Sequence, residues 1–188
     1  MRILILGPQG SGKGTQAQRI AAAYAVPHIA TGDMFRAAVT ARSELGAQVG
    51  PILERGDLVP DDLTIDLIRE RLAEEDGFVL DGFPRTVPQA EALDTMLDEI
   101  GKPLDAVILL QVSDDVATER LRERAAKEGR ADDSPEAIAN RLRQYHELTE
   151  LVVDRYQQAG IEVIVDGEQT MDGVFAAIQD ALEGVTAP

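Results

Sequence analysis

The chain has 188 residues, 44% hydrophobic and 28% charged, which is enough for one sizeable core, too little for two large independent domains, and too apolar for a disordered chain. It has no cysteine, its apolar runs stop at 3–6 and 106–110, and only four apolar residues follow Arg2; this excludes disulfides and thiolate metal sites, offers neither a membrane span nor a secretory signal, and fits a reducing, cytoplasmic setting. The net charge of −16 reads as a well-solvated surface, opposes nucleic acid and anionic membrane as main partners, and requires any phosphate site to be built locally from arginines and backbone N–H groups.

Strand and helix signals alternate along the chain, which predicts a parallel α/β sheet. Residues 2–7 form a short apolar strand running into a Gly-rich turn. Ala17, Ile20, Ala21 and Tyr24 then recur at i, i+3, i+4 and i+7 as one face of a helix. A second strand fits at 28–30. Residues 31–72 carry only helix signals, broken at Gly46, at 50–51 and at 56–60, and predict a small helical insert on the sheet. Strands follow at 77–80 and 105–112, and the helix between them presents Leu93, Met96, Leu97 and Ile100 on one face. The polar segment 127–134, KEGRADDS, separates two helices. The second is long, because Ile138, Leu142, Tyr145, Thr149, Val152 and Tyr156 step by 4, 3, 4, 3, 4. A last strand at 161–165 and a closing helix at 171–182 complete the chain. There is no internal repeat, low-complexity tract or interdomain linker.

The turn Gly7-Pro8-Gln9-Gly10-Ser11-Gly12-Lys13-Gly14-Thr15 joins the first strand to the first helix. Glycines let successive N–H groups converge on an anion, the helix N-terminus adds its dipole, and Lys13, one of only 3 lysines against 15 arginines, supplies a mobile charge. The strand–loop–helix setting is that of a P-loop, and a Gly-rich turn without a ligand is the plain alternative. Gly14 stands where the strict pattern has a hydroxyl residue, which puts direct metal ligation by Thr15 in question. Further on, Asp81 ends an apolar strand. Open α/β sheets bind ligands outside the carboxyl ends of their strands, so Asp81 faces the phosphate loop and acts on magnesium through water. A turn carboxylate before Gly82 is the alternative there.

GPQGSGKGTQ followed in order by ATGDMFR, LVPDDL, VLDGFPR and GRADD resembles the adenylate kinases and their close relatives, over residues 1 to about 167. The resemblance implies a P-loop NTPase three-layer fold with a five-stranded parallel sheet in the order 2-3-1-4-5. It divides the single domain into a core (1–30, 73–125, 135–188), a monophosphate-binding insert (31–72) and a short lid (126–134). ATP is implied at Gly10, Ser11, Gly12, Lys13, Gly14 and Thr15, with Arg120, Arg124 and Gln169. AMP is implied at Thr31, Arg36, Asp57, Leu58, Val59, Gly82, Phe83, Pro84, Arg85 and Gln89, with Arg130 and Arg141. Lys13, Arg85, Arg124, Arg130 and Arg141 are the implied catalytic set, and Asp33 and Asp81 the implied magnesium partners, through water.

Simpler readings stand beside several of these. Thr31 or Asp33 suits a helix N-cap, Arg36 a solvated helix face, and Arg120 and Arg124, four apart beside Glu119 and Glu123, a salt-bridged helix. His28 and His146 read as structural.

Phosphoryl transfer needs positioning and charge neutralisation more than covalent help, which matches one lysine and several arginines with no nucleophile. The expected activity is reversible, magnesium-dependent transfer from ATP to AMP giving two ADP, by a cytoplasmic monomer without zinc and without nucleic-acid or membrane partners. Two family alternatives are a UMP/CMP kinase, disfavoured by Thr31 and Gln89, and a GTP:AMP phosphotransferase. A P-loop switch is the alternative from another class, and it would leave Arg36, Arg85 and Gln89 without a role. In the lid, Arg120, Arg124, Arg130 and Arg141 are expected to repel one another until nucleotide phosphates draw them together.

Overall fold

The computed structural model describes residues 1–128 and 133–186. Five strands, β1 (Arg2–Leu6), β2 (His28–Ala30), β3 (Phe78–Asp81), β4 (Ala106–Gln111) and β5 (Glu162–Asp166), form one parallel sheet in the order β2-β3-β1-β4-β5. Helices cover both faces, so the central strands read as unbroken apolar runs. On one face Leu4, Leu6, Leu80, Val107 and Leu109 pack under helices α4 (Asp61–Leu72), α5 (Val87–Glu99) and α8 (Glu150–Ala159). On the other, Ile3, Ile5, Val79, Ile108 and Leu110 pack under α1 (Lys13–Tyr24) and α9 (Met171–Thr186). The chain leaves β1 toward β3 and β2 on one side and later toward β4 and β5 on the other. The carboxyl end of β1 therefore lies at the reversal of strand order, where open sheets take ligands.

Helices α2 (Thr31–Thr40), α3 (Glu44–Glu54) and α4 share a second, small core around Phe35, Val49 and Val59. The expected breaks at Gly46 and at 50–51 fall inside α3 instead. A Cβ on Gly46 would collide with the carbonyl of Ala38, so this glycine lets α3 close against α2. The chain turns at 41–43, where Arg42 takes a φ of 52° and the Ser43 hydroxyl caps α3 by accepting the Gly46 N–H at 3.1 Å.

Two more expectations need correction. Ile100 sits past the end of α5 and is 49% exposed, whereas Leu93, Met96 and Leu97 are buried. The predicted long helix is α7 (Pro135–Gln144), a π-helical turn at Tyr145–Thr149, then α8. The π turn admits an extra residue without ending the helix, and Thr149, 7% exposed, donates its hydroxyl to the Arg85 carbonyl at 3.0 Å. Helix α6 (Asp114–Glu128) packs on α7 through Ala117, Leu121, Ile138 and Leu142. Arg130 and most of the GRADD segment lie outside the described residues.

Candidate active site

A cavity of about 530 Å³ opens at the carboxyl ends of β1, β2 and β3. Its floor is the loop from Gln9 to Thr15. Gly12 holds a φ of 94°, and α1 begins directly after it with no side-chain cap and no acidic residue in its first turn. The first N–H groups of α1 are thus left to an incoming anion. Lys13 Nζ donates to the carbonyls of Gly7 and Pro8, 2.7 Å each, which parks the ammonium at the mouth of the loop. Burial lowers its pKa to about 8; Asp81 opposes that shift, while Arg85 and Arg124 add to it.

Asp81 ends β3 and faces the same cavity. Burial by itself raises its carboxyl pKa, but the nearby His28 imidazole, the Lys13 charge and Arg85 outweigh burial and hold it below the usual carboxylate range. His28 Nε2 lies 3.5 Å from Asp81 Oδ2, and His28 lines the cavity rather than serving the strand alone. Directly after Asp81, Gly82 takes a φ of 80°, where a Cβ would stand 2.8 Å from Thr31 Oγ1. The Thr31 hydroxyl itself donates to the Gly82 carbonyl at 2.9 Å.

Arg85 is fixed at three points. Its Nε donates to the Gly82 carbonyl at 2.8 Å, its backbone N–H to Gln89 Oε1 at 2.8 Å, and its carbonyl accepts from Thr149. Burial, aided by Arg141 and Arg36 and opposed by Asp81, lowers the guanidinium pKa to about 10. A cation held in that condition gains from any anion that enters beside it.

From the far side come Arg120, Arg124 and Arg141. Arg120 donates to the Gly167 carbonyl at 2.9 Å, which ties α6 to the loop carrying Gln169. Arg124 and Arg141 do not face each other bare. Asp133, with a fully buried carboxylate, accepts from Arg124 at 2.8 and 2.7 Å and from Arg141 at 3.0 Å. The expected mutual repulsion of these arginines is therefore already offset within the protein.

Of the residues singled out from sequence, the loop from Gly10 to Thr15, Asp33, Arg36, Asp57, Asp81, Gly82, Arg85, Arg120, Arg124, Arg141 and Gln169 line the one cavity. Asp33 and Arg36 pair with each other at its rim. Asp57 is bound by Arg55 and by Asn140 of α7, so the α2–α4 helices reach across to α7. Thr31, Leu58, Val59, Phe83, Pro84 and Gln89 are not among the residues that line it, and of these Thr31, Val59, Phe83 and Gln89 are buried. His146 joins Asp114 to Glu150 at 3.0 and 2.7 Å, away from the cavity. Sequence reasoning gave no part in the site to His28, Asp61, Asp133 or Thr149. Only Asp133, in GRADD, and Asp61, in LVPDDL, lay in a motif that could have drawn attention.

A family model described as adenylate kinase matches residues 5–161. A protein named adenylate kinase from Stenotrophomonas maltophilia (strain R551-3) is 46% identical over 187 residues, covering 98% of this chain and 100% of that protein. Adenylate kinases from Xanthomonas campestris pv. campestris (strain B100) and Xanthomonas euvesicatoria pv. vesicatoria (strain 85-10) are 46% and 47% identical over 185 residues, covering 97% of this chain and 99% of each relative.

Proposed function

This chain belongs to the adenylate kinase family, and on that premise we propose how its residues share out the transfer of a phosphoryl group between ATP and AMP. The loop from Gly10 to Thr15 holds the ATP phosphates on the N–H groups of α1, with Arg120 and Gln169 on the adenosine side. AMP lies between α2–α4 and the sheet. Its phosphate meets Arg36, Arg85 and Arg141, its base meets Thr31 and Gln89, and residues 57–59 and 82–84 supply backbone. The division into core (1–30, 73–125, 135–188), acceptor insert (31–72) and lid (126–134) belongs to the same proposal, and the separate small core around Phe35 supports it. Arg130 joins the catalytic set from the lid.

An AMP phosphate oxygen attacks the γ-phosphorus in line, and the bond to the β,γ-bridging oxygen breaks. Lys13, Arg85, Arg124 and Arg141 neutralise the charge on the moving group. The tethers on Arg85 and the Asp133 bridge hold their guanidiniums in place before substrate arrives, so little reorganisation is left for the reaction itself. Excluding water keeps the acceptor from being replaced by hydroxide.

Magnesium, when bound with ATP, supplies positive charge at the β- and γ-phosphates. Asp81 and Asp33 offer the hard oxygen ligands it prefers. Among the described residues no group of three or more acidic, histidine or cysteine side chains forms a metal cage, so nucleotide and water oxygens would make up the rest of its shell. Zinc has no part in this account. The chain acts as a cytoplasmic monomer, and its charge of −16 supports partners that are nucleotides rather than nucleic acid or membrane.

The observation that carries this reading is the convergence of Lys13, Arg85, Arg124, Arg141 and Asp81 on one cavity. The experiment is a matrix of donors ATP and GTP against acceptors AMP, UMP and CMP. The highest kcat/KM is expected for ATP with AMP; comparable values for AMP and UMP would move the chain to the pyrimidine kinases.

A further inference from the structure

The carboxamide of Gln89 is held at both ends. Its Oε1 accepts the Arg85 backbone N–H at 2.8 Å, and its Nε2 donates to Asp61 Oδ1 at 2.7 Å. Asp61 Oδ1 also accepts the Thr86 hydroxyl at 3.0 Å, and Thr86 caps α5, the helix that carries Gln89. Neither partner of the amide is interchangeable, because a backbone N–H only donates and a carboxylate only accepts. Turning the amide over would set Nε2 against a donor and Oε1 against a carboxylate, losing both bonds. With Gln89 2% exposed, water offers no replacement partners.

These bonds use one Nε2–H and one Oε1 lone pair. One of each is left, and among the described residues neither has a further partner. What remains is a fixed donor beside a fixed acceptor. Adenine presents N1 as acceptor and N6–H as donor, the complementary order. Hypoxanthine, with the same purine frame, presents N1–H and O6 in the reverse order, and uracil is reversed as well. Cytosine keeps the adenine order. A freely turning amide would serve either order; a locked one serves a single order.

We infer that Asp61 is a positioning residue that locks the sense of the Gln89 amide, so that the acceptor site separates amino bases from keto bases by the order of donor and acceptor on their edge. This rests on the reading that Gln89 meets the acceptor base. The lock spans two elements, α4 and α5. Gln89 is buried and is not among the residues that line the cavity, so a base reaches it only when α2–α4 give way, and the Asp61 bond has to survive that movement. Smaller bases that keep the adenine order, such as cytosine, are left to be rejected by size.

The test compares kcat/KM for AMP, IMP and CMP, with ATP as donor, in wild type, Asp61→Asn and Gln89→Leu. The Asp61→Asn side chain keeps the shape of the original but presents either a donor or an acceptor, so of the two bonds that set the sense of the amide only the one from the Arg85 N–H still discriminates. Its AMP-to-IMP ratio is expected to fall, by at most about tenfold, the worth of one base-edge pair, while its AMP-to-CMP ratio stays at the wild-type value. A fall in both ratios together would mean general loosening of the pocket and would overturn the lock. If Gln89→Leu keeps the wild-type AMP-to-IMP ratio, Gln89 does not read the base, and the inference falls with that reading. If Gln89→Leu lowers the ratio and Asp61→Asn leaves it unchanged, the base contact stands and the lock alone is overturned. A measurement on wild-type protein needs no variant: the scalar coupling across the hydrogen bond from Gln89 Nε2 to the Asp61 carboxyl carbon. It is expected in the free protein and with AMP bound, and its loss on AMP binding would also overturn the lock.

Discussion

Replacing Lys13 with Met keeps the apolar stem of the side chain and removes only the ammonium at the mouth of the phosphate loop. Two consequences for stability oppose each other. The displacement of the lysine pKa from 10.5 to about 8 corresponds to about 3 kcal/mol of disfavour for the charged form in that place, which the substitution relieves. Against this, the carbonyls of Gly7 and Pro8 lose a charged donor at 2.7 Å, and such bonds contribute about 1.5–3 kcal/mol each. The terms are of similar size, so the urea midpoint is expected to stay near wild type. Transfer is not spared: loss of one preorganised donor lowers kcat about 10²–10³-fold. The same pKa sets a pH signature. A neutral amine cannot hold phosphate charge, so wild-type kcat/KM for ATP should fall above about pH 8, approaching tenfold per unit, and the variant should lack that limb. Steady-state rates of ADP formation across this range, beside urea denaturation curves, test both halves. A variant within a few-fold of wild type, or a wild-type profile with no decline above about pH 8, would refute the reasoning.

Two further predictions concern the lid side and the metal. Asp133→Ala leaves Arg124 and the 9% exposed Arg141 without the carboxylate between them, and is expected to destabilise the fold by about 3 kcal/mol; a urea-derived change under about 1 kcal/mol would contradict a buried bridge. Chelation of divalent metal should abolish transfer, and added magnesium should restore it. Metal analysis of the purified protein should find no stoichiometric zinc, and stoichiometric zinc together with full activity in the chelator would reverse the assignment.

The parts of the fold legible in the sequence were those where burial imposes a pattern. Strands covered on both faces read as apolar runs, and the strand ends that carry Gly7 and Asp81 could be placed on one side of the sheet by the α/β rule alone. Glycine misled the reading of α3, because Gly46 and Gly50 look like breaks when only local propensity is weighed. Gly46 is required by the approach of Ala38, a contact that propensity does not report. The π turn at Tyr145–Thr149 was hidden because the apolar steps of 4 and 3 continue through it, and its tie to Arg85 joins residues 64 apart. Asp61 and Asp133 were silent for a similar reason. Each is one of 34 acidic residues, and what sets it apart is a partner that only the folded chain brings near. His28, read as structural, stands on β2 beside β3 in register with Val79. Its access to Asp81 follows from that pairing and from no local motif.

The central claim is that this cavity passes a phosphoryl group from one nucleotide to another and keeps it from water. One measurement addresses it directly: purified protein incubated with magnesium, ATP and AMP, with every phosphorus species followed by 31P NMR. ATP and AMP are expected to disappear in equal amounts, with two ADP formed for each AMP consumed and no accumulation of inorganic phosphate. Steady release of inorganic phosphate from ATP with AMP left intact would contradict it, and would make the chain a hydrolase built on the same loop.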